Sequence, residues 1–254
     1  GSMSAADQIA ALDGSKIGAL TTAQARALTS AQAAAITSAQ AGSLTSAEIA
    51  AMGNVQVASL TSDVIDNLSD AAVAGITTGQ AKLLTSDQLS ALSSSQFVNL
   101  SDAGVAVLSS AQFAAISSDV VPHMTTSQVA AINTTTLSQL DASAQFATLS
   151  STQIGALSAA QAKSLTSEQL QALDSAQILS LTTAAVAALS SAQVSGIDSD
   201  DFAALSTDQL RALTTSSIAS LSSDQFSKLD STQLAALTTA QAKVLTSDEL
   251  GTLD

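Results

Sequence analysis

The octapeptide Leu44-Thr45-Ser46-Ala47-Glu48-Ile49-Ala50-Ala51 decides the fold, because its pattern recurs along the chain. A Leu, Ile or Met falls on every eighth residue from Leu12 to Leu140 and again from Leu149 to Leu253, with a one-residue slip between the two runs. With the anchor as position one, position two is Ser, Thr, Asp, Asn or Gly throughout, from Asp13 to Asp254. Those five residues favour the N-cap of a helix, where a short side chain or none at all lets the chain turn in. Position five is Gln or Glu in most octads, as at Gln24, Gln32, Gln40 and Glu48. Positions two to five therefore spell a capping box.

Position six is apolar, as in Ile49, Val57, Leu89, Phe97, Phe113, Leu170 and Phe226. With position two as the cap, positions one and six are the two residues that meet in a hydrophobic staple. Box and staple together start a new helix in each octad, over positions three to eight, about a turn and a half. Alanine fills many of these positions and suits both helix and close packing. Charges agree with the helix dipole. Asp63, Asp87, Asp208, Asp224, Asp248 and Glu168 fall in first turns, whereas Arg26, Lys82, Lys163, Arg211 and Lys243 fall late in their octads.

Other architectures conflict with the pattern. One continuous helix would carry competing Ser/Thr pairs every eight residues, and its apolar stripe would drift around the surface. A β-solenoid would put positions one and six on opposite strand faces. Disorder needs no apolar residue at fixed phase, and a 46% hydrophobic content opposes it. The expected fold is all-α: a solenoid of about 30 short capped helices. Gly1-Ser2-Met3 has the look of an expression-tag remnant, and residues 4–254 are expected to be a single continuous array. Polar end caps are not visible, so the array is expected to be cut from a longer one. The slip between Asp141 and Phe146 is expected to be a bulge. The runs Gln80-Ala81-Lys82, Gln161-Ala162-Lys163 and Gln241-Ala242-Lys243 recur ten octads apart once the slip is allowed for, which points to duplication of a larger block.

Composition bounds function. A net charge of −14 excludes an ordinary nucleic-acid binder and disfavours anionic membrane surfaces. There is no cysteine, hence no disulfide or thiolate site. No apolar run reaches the ~18 residues of a membrane span. His123 is the only histidine, and in Pro122-His123-Met124 it reads as a variant of position eight. Asp198-Ser199-Asp200-Asp201 is the densest acidic run, but it lacks the Gly and the closing Glu of a calcium loop and reads as a cap with first-turn acids. The Ser/Thr pairs form a regular row, in which position two is already spent on capping. Phe97, Phe113, Phe146, Phe202 and Phe226 occupy the staple position and are expected in the core. Arg26, Asp66, Lys82, Val98, Gln171 and Arg211, at position seven, would line any binding face. With no Cys, no Tyr and one His, no enzyme is expected, and no catalytic, cofactor or metal residues are assigned.

Octads such as Leu20-Thr21-Thr22-Ala23-Gln24-Ala25-Arg26-Ala27 resemble the tandem-repeat tracts of long secreted or surface bacterial proteins of the adhesin kind. The resemblance extends over essentially the whole chain and is compositional. It implies export, an extracellular or cell-surface location, and a structural or spacer role. The alternative is an α-solenoid that binds a protein, peptide or glycan. The partners expected from the residues themselves are the neighbouring repeats.

Overall fold

The computed structural model describes residues 4–247 and residue 251. Gly1-Ser2-Met3, Asp248 and the last anchor, Leu253, lie outside them. Among the described residues there are 28 short α-helices, two 3-10 helices and no strand, so the all-α expectation holds. The α-helices are four to six residues long, far below the length that is stable alone, so their stability must come from packing.

The local geometry follows the octad. In Thr45, Oγ1 accepts from the Glu48 N–H at 3.3 Å, and the Thr45 N–H donates to Glu48 Oε2 at 2.7 Å. The same reciprocal pair closes at Thr21 with Gln24 and at Ser206 with Gln209. Most helices end in a tight turn: the Leu28 N–H reaches the Ala25 carbonyl, and the Leu165 N–H the Ala162 carbonyl. Two extended residues then redirect the chain, the anchor (Leu165, φ −61°, ψ 144°) and the next cap (Thr166, φ −80°, ψ 161°). Among the described residues none has positive φ. The connection is built from helical and extended backbone alone, which every L-residue adopts, so no glycine is needed to turn the corner. Gly75 is required for another reason. A Cβ there would collide with the Ser46 carbonyl oxygen of the preceding turn.

The described residues form two compact units, one ending at Ile132 and one beginning at Asn133. In the first unit, each helix packs against the one three places on; Thr22–Ala27 lies on Ser46–Ala51, and Ser46–Ala51 on Asp70–Val73. The second unit follows the same rule, with Ala159–Ser164 on Thr183–Ala188 and Thr183–Ala188 on Thr207–Ala212. The core of each coil is two rows of side chains. Position six is sealed: Ile49, Phe97, Leu170 and Phe226 are all 0% exposed. The anchors beside them are nearly so, with Leu84 at 3% and Leu165 at 4%.

Two octads depart from the standard helix. Pro122 has no N–H to donate, and its octad forms a 3-10 helix, Val121–His123. At the slip, the Phe146 N–H bonds to the Asp141 carbonyl at 2.8 Å and the Ala147 N–H to the Ala142 carbonyl at 2.9 Å. These five-residue spans are a π-type turn that takes up the extra residue. Asp141 caps it, with Oδ1 accepting from the Ser143 and Ala144 N–H groups. The Ala144 N–H, and after it the Ser143 hydroxyl, hold the Asp141 carboxyl below its usual range.

The burial contrast sets an order of stability effects. Leu165→Ala should cost about 2–5 kcal/mol through a lost core side chain. Thr166→Ala, which removes the hydroxyl that accepts from the Gln169 N–H at 3.1 Å, should cost about 0.5–2 kcal/mol. Thermal melts of the two variants test this order, and equal losses would mean that the anchor is not core.

Candidate functional site

The most elaborate arrangement of polar groups in the molecule is the row of buried glutamines at position five. Gln80 is 0% exposed. Its Oε1 accepts from the Thr77 N–H at 2.7 Å, completing the cap. Its Nε2 donates to the carbonyls of Ile49 and Met52, 31 and 28 residues earlier, at 2.7 and 2.8 Å. Gln88 does the same to Val57 and Leu60, Gln128 to Phe97 and Leu100, and Gln225 to Val194 and Ile197. One end of each amide starts its own helix. The other end ties down the last turn of a helix in the preceding coil, reaching the anchor carbonyl and a position-six carbonyl that, at Val57, Phe97 and Val194, also accepts from the anchor N–H.

A separation of 28 residues is three and a half octads, so each coil turn holds between three and four. The slip does not disturb this stacking. Gln169 reaches back 32 and 29 residues, to Leu137 and Leu140, one more than the rule in each case. Gln177 then returns to 28 with Leu149. The inserted residue is confined to its own turn.

Sequence reasoning identified the cap half of this device and missed the other half. A signal was available: a capping box accepts Gln or Glu, yet where position five holds one of the two it is nearly always Gln. Only an amide brings both an acceptor and a donor.

The candidate residues singled out by sequence are placed separately. His123 is exposed, with Nδ1 2.8 Å from the Asp119 carbonyl oxygen. The acidic run is divided among three tasks. Asp198 caps its helix by accepting from the Asp200 N–H at 2.9 Å; Asp200 pairs with Lys228 at 2.6 Å; Asp201 accepts from the Ser175 hydroxyl at 2.6 Å. The Asp200 carboxylate in turn holds the Lys228 ammonium above its usual range. Both members of that pair are at least half exposed, so its contribution to stability is small. Near the start of the chain, the Ser15 hydroxyl and then the Lys16 side chain and N–H pull the Asp13 carboxyl down to about 2. Among the described residues no three His, Cys, Asp or Glu side chains are grouped to hold a metal ion, and no helix is long and apolar enough to cross a membrane.

The five phenylalanines are all fully buried, and Phe97 meets Phe113 edge to face with centroids 6.5 Å apart. They are core, as the staple position requires. Of the position-seven residues, Arg26, Asp66, Lys82, Gln171 and Arg211 are exposed and Val98 is half-buried. The Ser/Thr row is partly used between turns: the Ser94 hydroxyl donates to the Asp119 carbonyl at 3.1 Å.

No curated protein matches the chain. A family model described as the ALTTAQ repeat matches residues 194–231. The hexapeptide of that description stands in this chain at Ala19-Leu20-Thr21-Thr22-Ala23-Gln24 and again at Ala236-Leu237-Thr238-Thr239-Ala240-Gln241. The matched segment covers anchor, cap, buried position five and staple for several octads, and marks this as a repeat protein similar over that stretch to the ALTTAQ repeat.

Proposed function

We propose that the chain is a structural segment, a spacer within an exported bacterial surface or matrix protein, and not an enzyme. The observation that carries this reading is where the polar chemistry goes. The hydroxyls of position two are consumed as caps, and the glutamines of position five as ties between turns. The densest acidic run is spent on a cap, an ion pair and a bond to the neighbouring turn. These groups maintain the coil and leave few to act on a ligand. Such an array holds its neighbours at a set distance because each repeat contacts only nearby repeats. A location outside the cell suits the acidity and the absence of cysteine, and follows the compositional likeness to adhesin-type tracts.

The test is a series of chains with whole coil turns added or removed, labelled at both ends for distance measurement by energy transfer. A spacer gives an end-to-end distance that grows in step with the number of octads and does not respond to calcium. A distance that fails to track octad number, or a saturable micromolar calcium or glycan site found by calorimetry, would overturn the spacer reading.

A further inference from the structure

Glu48 stands in the buried row of amides without being one. It is 2% exposed. Its Oε2 takes the role of a glutamine carbonyl, accepting from the Thr45 N–H at 2.7 Å and the Thr45 hydroxyl at 2.8 Å. Its Oε1 is buried and has no hydrogen-bond partner among the described residues. The register kept by Gln40, Gln80 and Gln88, 31 and 28 residues back, assigns that oxygen to the carbonyls of Ile17 and Leu20. An ionised carboxyl offers only acceptors, and so do the carbonyls that the register places opposite it. A proton on Oε1 supplies the missing donor.

We propose that Glu48 makes this joint acid-responsive: with a proton on Oε1 it donates one hydrogen bond to the preceding turn, where a glutamine donates two, and without it the joint stays open. The proton comes from solvent and no covalent bond changes. Among the described residues, the charged side chains nearby are exposed or engaged elsewhere. The helix Ser46–Ala51 packs against Thr22–Ala27 and Asp70–Val73, whose charged residues are Arg26 and Asp70, both exposed. Lys16, next to Ile17, is engaged with Asp13 at 3.0 Å. The adjoining helices Ser38–Ala41 and Asn54–Ala58 carry no charged residue.

The experiment compares thermal melts of the full chain and of Glu48→Gln between about pH 7 and pH 4. The variant should melt roughly 2–8 °C higher at neutral pH, and the gap should shrink on acidification as the native carboxyl acquires its own donor. Asp7, Asp13 and Asp141 are held below the usual carboxylate range, so they stay largely ionised over this interval, and they are common to both proteins. Gln80→Glu is the converse: it should melt lower than the native chain at neutral pH and regain ground as pH falls. A gap that does not change with pH, or a Glu48→Gln chain that melts no higher than the native one, would overturn the proposal.

Discussion

Replacing Gln80 by alanine should lower the stability of the chain by about 2–5 kcal/mol, as read from urea denaturation. The side chain is fully buried and serves three backbone groups: the Thr77 N–H and the carbonyls of Ile49 and Met52. Removing it strands all three, and each buried group left unpaired costs about 1–3 kcal/mol, with partial relief from any water that enters. The upper end is tempered by octads that fold with no amide at this place, such as those of Ala72 and Ala185, both of which are buried. Gln24→Ala is the comparison. Gln24 is exposed, and what it loses is its acceptor for the Thr21 N–H and hydroxyl. That change should cost about 1 kcal/mol or less, in the range of a single cap. Similar losses for both variants would mean that the bonds between turns add nothing beyond the caps.

Phe97→Ala should be as damaging or more so, at about 3–5 kcal/mol. Phe97 is 0% exposed and meets Phe113 at 6.5 Å and 76°, the edge-to-face geometry that adds to simple burial. Its own carbonyl also receives the Gln128 amide at 3.1 Å, so a collapse around the vacated space would disturb that tie. Because stability in such arrays propagates between neighbours, the defect should broaden the melting transition as well as lower it. Phe97→Leu, which keeps most of the volume, should recover the larger part of the loss. An alanine variant that melts within 1–2 °C of the native chain, a shift corresponding to about 0.5 kcal/mol, would show that position six is not the centre of the core.

The features legible in the sequence were those whose partners lie within one octad. A cap and the N–H it accepts are three residues apart, and the staple joins positions one and six, so Thr21, Gln24 and Ala25 announce a helix together. The slip at Asp141 was legible as an interruption because the anchors kept their phase on either side. The stacking was not legible. Gln80 meets Ile49 across 31 residues, and no spacing in a uniform repeat distinguishes that partner from one an octad nearer or farther. What remained visible was the choice of amide over acid, which is a statement about chemistry and not about distance. The fates of Asp200 and Asp201 were hidden for the same reason. Lys228 and Ser175 approach them only because the coil brings successive turns together. Local reading therefore found the caps in this acidic run and missed the bonds it makes to other turns.

The π-type turn at Asp141–Ala147 has a bearing on how such a chain can change over generations. A single inserted residue in a helix or strand would rotate or flip everything after it, and the error would run to the end of the element. Here Gln169 spans one residue more than the rule, and by Gln177 the count is restored. Position is read sideways, from the turn beneath, and only weakly from the residue before. The array thus behaves like a frame with local error correction. Unequal crossing-over between near-identical octads, which inserts and deletes at imperfect boundaries, would leave most products still able to stack.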